Sequence, residues 1–176
     1  MPLLTIKEYH NVFTFPIKDY YSKAGFDFKK ESFEKVGREW MDEYERRKYE
    51  CSLHDGIIEV LNKISSLGIG QSILSAYSQN LLKDMIKHYG LTKYFEHIYG
   101  LDNIYASSKI QLGKELMDKL GDGIGETLLI GDTEHDYDVA MEIGADCVLI
   151  ANGHQSPEKL SKYSMVFLNI MALIQK

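Results

Sequence analysis

The stretch "LLIGDTEHDYDVAMEIGA", residues 128–145, decides how the chain is read. Leu128, Leu129 and Ile130, closed by Gly131, have the length and apolarity of a strand buried on both faces. From Glu134 the period becomes helical, with Val139, Ala140 and Ile143 on one side and Gly144 as the stop. A strand, a tight turn and a helix therefore follow one another. The acids Asp132, Glu134, Asp136 and Asp138 gather at the strand's carboxyl end, where open α/β sheets bind ligands. Acids also favour the first turns of helices through capping and the macrodipole, which accounts for one or two of the four. Asp132 needs more, because an ionised carboxylate directly after a buried strand is costly unless a cation or donors satisfy it. Ligation of a hard cation by Asp132, with Asp136 as a second candidate ligand, is the chemistry this pattern suggests.

Working outward, 176 residues with 44% hydrophobic content suffice for one sizeable core and a small appended subdomain. A net charge of −6, with no basic run beyond "ERRK" at 45–48, argues against nucleic acid or an anionic membrane as partner. Cys51 and Cys147 are too far apart in sequence for a metal pattern or a disulfide framework, and no signal peptide or long apolar run occurs. The expectation is a cytoplasmic chain with free thiols.

Residues 1 to about 50 read as all-helical, in the segments "TIKEYHNVFTF", "PIKDYYSKAG" and "KESFEKVGREWMDEYERRKYE". Phe33, Val36, Trp40 and Tyr44 form a stripe of the kind that usually belongs to a core. From Leu53 helices and strands alternate. A helix with Ile57, Leu61, Ile64 and Leu67 inward stops at Gly68, and a strand is centred on Ile73 and Leu74. The next helix has Ser78 as a candidate N-cap and ends at Gly90; "FEHIYG" is a short strand and "SSKIQLGKELMDKLG" a helix. Beyond residue 145, "ADCVLIA" is a strand, Pro157 opens a short helix, and "SMVFLN" offers a last strand before a terminal helix. This alternation predicts a parallel, doubly wound sheet.

Ser75 after "SIL", Lys109 in "ASSK", and Asp132 with Asp136 are unusual polar residues at strand ends or loop edges. Together they suit a phosphate: a hydroxyl bonds a phosphoryl oxygen, an ammonium neutralises it, and carboxylates hold the Mg²⁺ that offsets the remaining charge. In that order the residues resemble the haloacid dehalogenase superfamily, in particular its phosphoglycolate-phosphatase-like branch with a helical cap. "SILSAYSQN" resembles the second motif, with Ser75 as the phosphate-binding hydroxyl, and Lys109 resembles the third motif's lysine. Lys-Ile stands where Lys-Pro is usual, and Lys114 is the second candidate. "IGDTEHDYDVAMEIGA" resembles the fourth motif, which implies Mg²⁺ ligation by Asp132 and support of the metal shell by Asp136. "HDGIIEVLNKISSLGI" is similar to the segment entering the core from the cap, and "ANGHQSPEKL" to the loop and helix after the fifth strand. The resemblance implies a three-layer Rossmann-like α/β core over residues 53–176, a small and incomplete helical cap over 1–52, and a small phosphorylated metabolite as substrate. Arg38 and Lys18 are cap cations able to meet a substrate carboxylate, although a solvated role is the commoner one for such charges.

The first motif, Asp-x-Asp-x-Thr after an apolar strand, occurs nowhere in the sequence. In the resembled family its first aspartate attacks phosphorus and its second protonates the leaving oxygen. Asp19, Asp27, Asp55 and Asp102 do not follow buried strands and do not replace them. The chain by itself is therefore expected to be inactive, whether the segment is missing from a gene model or truly lost. The resemblance thus supports a Mg²⁺-dependent phosphomonoesterase. The alternatives are a catalytically dead module that binds a phospholigand or a protein, or a sugar phosphomutase if the upstream segment is restored. A phosphoacceptor receiver domain fits less well, because hydroxyl and lysine here precede the acids. The Gly-Asp form of the fourth motif favours phosphatases over dehalogenases. In the resembled fold the missing strand lies between those ending at Ser75 and Asp132. The expectation is that these two close up and pair directly, or that a strand from another chain, as in a homodimer, fills the place.

Overall fold

In a computed structural model of the chain, residues 3–101, 109–121 and 126–175 are described. Three helices come first: α1 (Ile6–Val12), capped by a Thr5–Glu8 box, α2 (Ile17–Lys23), and α3 (Phe33–Arg47), capped by Ser32. Val36 of α3 is buried, whereas Trp40 is 53% exposed and stacks on Tyr44, so the expected apolar stripe is only partly core. Lys18 sits over the Phe28 and Phe33 rings, and Arg38 is exposed.

The alternating part runs α4 (Ile57–Ser66), β1 (Ser72–Ser78), α5 (Gln79–His88), β2 (His97–Leu101), α6 (Lys109–Leu120), β3 (Leu128–Gly131), α7 (Glu134–Ile143), β4 (Asp146–Ile150), α8 (Pro157–Leu160) and β5 (Met165–Phe167). The boundaries follow the punctuation in the sequence. Gly144 ends α7 at φ 74, a left-handed conformation that a Cβ disfavours, and Ser156 caps α8 with Pro157 at its first position. Ser78 stands at the N-cap of α5 without a side-chain cap bond, and the chain ends in a short 3-10 turn rather than a terminal helix.

Among the described residues all strand pairings are parallel, as the alternation predicts, but they form two sheets rather than one: β1–β2, and β3–β4–β5. β1 and β3 do not pair, so the expected direct closure does not occur among the described residues. α6 packs on β1 and β2 and also on α7, which itself packs on β3 and β4, so the two sheets are joined through the α6–α7 contact. At the contact, Gly113 presents bare backbone: a Cβ there would lie 2.9 Å from Ile143 Cγ2 and 3.3 Å from Leu74 Cδ2. The consequence for β3 is direct. Leu128 is 48% and Ile130 39% exposed, so the strand expected to be buried on both faces has one open side.

Leu61, Leu82, Ile86, Leu91 and Tyr94 form one core cluster, against which Ile73 of β1 and Ile98 of β2 pack. Val139, Ala140, Leu149 and Leu160, all fully buried, form the centre of the other half. No helix among the described residues is long and apolar enough to cross a membrane.

Candidate active site

The turn between β3 and α7 is built around Asp136. Thr133 caps α7 and accepts the Asp136 amide, while the Asp136 carboxylate reaches back to the start of the helix, completing a capping box. Asp136 Oδ2 accepts from the Asp132 amide (3.0 Å), the Thr133 amide (2.9 Å) and the Thr133 hydroxyl (2.7 Å). Its Oδ1 takes the ammonium of Lys109, the first residue of α6. Gly131 is required at the strand end because a Cβ there would collide with the Asp136 side chain. Burial pushes the Asp136 carboxyl up, but the Lys109 ammonium and the Thr133 and Asp132 donors outweigh it and hold it below the usual aspartate value. The pair is well enclosed, with side-chain exposures of 15% for Lys109 and 6% for Asp136.

Asp132 is used differently. Its Oδ2 accepts the His154 amide at 3.0 Å, and Oδ1 has no hydrogen bond among the described residues. The loop after β4 comes this close because residue 153 is glycine, where a Cβ would collide with the Asp132 carboxylate. α1 lies on the same loop. Tyr9 and His154 Nδ1 share a hydrogen bond, His10 Nε2 lies 3.2 Å from the Gly153 carbonyl, and the Phe13 ring stacks on His154 at 4.7 Å and 10°. The Tyr9 phenol is pushed up by burial, with Tyr20 and Asp132 adding to the effect. Behind it, Gln155 is fully buried and accepts the Glu134 amide at 2.8 Å, and Lys159 donates to Glu134 and to the Phe13 carbonyl.

The structure thus gathers Lys109, Asp132 and Asp136 at the carboxyl ends of parallel strands. Lys114, 49% exposed, faces Glu142 away from them. Ser75 lies where the β1–β2 register shifts between Leu74 and Ser78, and its hydroxyl accepts the Tyr77 amide at 3.1 Å. Such an irregularity re-aims a side chain at a strand end; no hydrogen bond joins Ser75 to the Lys109 group among the described residues. Asp102 lies outside the described residues. Sequence reasoning missed Tyr9, Gly153 and His154. The signal for Gly153, a glycine just after a strand in "ANGHQS", was present; that for Tyr9 was not, because its partner is far along the chain.

Both Asp136 oxygens are engaged by protein donors, and no group of three or more His, Cys, Asp or Glu among the described residues could hold a metal. Mg²⁺, however, is commonly bound through one or two carboxylates, with phosphate oxygens and waters completing its octahedron. The free oxygen of Asp132 suits that arrangement.

The fold is α/β, with a lysine and two differently used aspartates gathered at strand ends. The chain belongs to the haloacid dehalogenase-like hydrolase family, whose model matches residues 1–150. Tyrosine-protein kinase PtkA of Mycobacterium tuberculosis is 24% identical over 126 residues, which is 71% of this chain and 43% of PtkA, so the chain spans less than half of that relative. The fold is shared with a haloacid dehalogenase-like hydrolase from Streptococcus pneumoniae (TM-score 0.80, 22% identity, 99% of this chain and 83% of that one). It is also shared with a predicted phosphatase from Clostridium acetobutylicum (TM-score 0.67, 20% identity, 89% and 65%).

Proposed function

We propose that residues 53–176 are the core, and residues 1–52 part of a helical cap, of a Mg²⁺-dependent phosphomonoesterase acting on a small phosphorylated metabolite. The observation that carries this reading is the Lys109–Asp136 pair beside the free oxygen of Asp132. Asp136 fixes the ammonium and locks the turn, so Lys109 presents positive charge at a set place. Asp132 would hold the metal, and Ser75 would donate its hydroxyl to a phosphoryl oxygen. Bound Mg²⁺ would supply charge neutralisation of the phosphoryl oxygens. The Tyr9–His154 hydrogen bond ties α1 to the loop whose His154 amide donates to Asp132.

No carboxylate among the described residues stands in a nucleophile's position toward this group. We therefore expect residues 1–176 alone to bind phosphate without turning over an ester. Calorimetry with inorganic phosphate and Mg²⁺ tests the binding: each should bind more tightly in the presence of the other, and Asp132→Asn should abolish that coupling. Independent binding of the two would refute the site. The second reading, a phospholigand-binding module without catalysis, is supported by the full engagement of Asp136. It is distinguished by extending the chain with an upstream Asp-x-Asp-x-Thr segment and screening phosphomonoesters with and without Mg²⁺: turnover favours the esterase, binding alone the module.

A further inference from the structure

The register of β1 against β2 breaks beside Ser75. Leu74 pairs with Tyr99 and Ser78 with Leu101, so Ser75, Ala76 and Tyr77 face Gly100 alone. Glycine is needed opposite them, because a Cβ on residue 100 would lie 2.7 Å from the Tyr77 carbonyl oxygen. Where the ladder is interrupted in this way, the strand no longer fixes the direction of its side chains. Two hydrogen bonds hold this arch. The Tyr77 amide donates to Ser75 Oγ at 3.1 Å, and the Tyr77 hydroxyl donates to Glu45 Oε1 on α3. Glu45 is itself held, since its other oxygen takes the Lys48 ammonium at 2.7 Å and the Lys48 side chain is only 10% exposed. The Tyr44 ring meets Tyr77 edge-on, with centroids 5.8 Å apart at 78°. Burial, with Glu45 adding to it, raises the Tyr77 phenol above its ordinary value, so it stays a donor at neutral pH.

A hydroxyl has one proton and two lone pairs. The Tyr77 amide occupies one lone pair of Ser75 Oγ, which turns the proton away from that amide, and among the described residues no acceptor takes it. We propose, on the reading of Ser75 as a phosphate donor, that Glu45 is a positioning residue for it: by anchoring the Tyr77 ring, the α3 carboxylate keeps the Tyr77 amide on Ser75 Oγ and leaves the Ser75 proton for a phosphoryl oxygen. Glu45 does this without touching the phosphate, which its own charge would repel. Its influence passes through one side chain and one backbone amide.

The test is calorimetry of residues 1–176 with inorganic phosphate and Mg²⁺, alongside amide exchange of the chain with neither. Tyr77→Phe, which removes only the hydroxyl, and Glu45→Ala should each weaken phosphate binding about fivefold, the worth of one hydrogen bond. Glu45→Gln, which keeps an acceptor oxygen, should recover most of that loss. In a Ser75→Ala background, Tyr77→Phe should cause no further weakening, whereas a merely structural contact would weaken both backgrounds alike. Tyr89→Phe, which removes a hydrogen bond elsewhere, to the Cys51 carbonyl, should leave the affinity unchanged. Without ligand, the amide of residue 77 should exchange faster in Tyr77→Phe, Glu45→Ala and Ser75→Ala, and at the wild-type rate in Tyr89→Phe. A wild-type chain that binds no phosphate overturns the phosphate site and this role of Glu45 with it. A wild-type chain that binds phosphate overturns the role of Glu45 alone if Tyr77→Phe and Glu45→Ala match it, if the losses are equal in the Ser75→Ala background, or if the amide of residue 77 is indifferent to Glu45→Ala.

Discussion

Asp136 has two roles in one side chain, closing the cap of α7 and neutralising Lys109, and its replacement should show both. Asp136→Asn keeps the shape but leaves an enclosed ammonium unpaired, which should cost about 3 kcal/mol in urea denaturation at neutral pH. Adding Lys109→Met should recover part of that loss, giving a coupling energy in a double-mutant cycle. The sign of the pH dependence follows from the lowered carboxyl. Its stabilisation is complete above the ordinary value of 3.8 and is lost as pH falls through the lower folded value, so acid unfolding should be steeper in the wild type than in Asp136→Asn. Cys147 makes a separate prediction. Burial, aided by Asp136, pushes its thiol up to about 11, whereas Cys51 is exposed. At pH 8 a disulfide reagent should therefore titrate one thiol quickly and the second only on unfolding.

β3 and β4 lie side by side yet should respond to mutation in opposite ways. Leu149 of β4 is fully buried, so Leu149→Ala should cost about 2–5 kcal/mol through the cavity it leaves. Leu128→Thr and Ile130→Thr remove groups that are already half in water, and should cost less than about 1 kcal/mol each by the area relation. Equal losses at β3 and β4 in thermal melts would show that the β3 face is covered in solution. At the start of α7, Thr133→Ala should cost about 1–2 kcal/mol, because it removes a cap acceptor and a donor to Asp136 together.

The molecule as a whole joins two parallel half-sheets through helices, with α1 held on the loop that touches Asp132. Lys109 and Asp132 meet Asp136 at the turn after β3, Ser75 stands on β1, and no described carboxylate is set to attack phosphorus. Residues 1–176 should accordingly hydrolyse para-nitrophenyl phosphate with Mg²⁺ no faster than a protein-free control. Robust Mg²⁺-dependent turnover that disappears in Asp132→Ala would overturn this and reveal a nucleophile elsewhere in the chain.

The sequence by itself determined the local pieces, because their causes lie within a few residues. Gly131, Thr133 and Asp136 specify the turn and its capping box, Gly144 stops α7, and the apolar run at 128–130 makes a strand. The order of Ser75, Lys109 and Asp132 was also legible, since a parallel α/β fold brings strand ends to one side. Only the tertiary structure decided that β1 and β3 do not pair among the described residues, because pairing between strands so far apart along the chain depends on how the intervening elements pack and not on any local property of the strands. The same holds for the two uses of the aspartates. Asp136 is taken by Lys109, 27 residues before it, and Asp132 by His154, 22 residues after it, and contacts at that range depend on where the helices and loops come to rest.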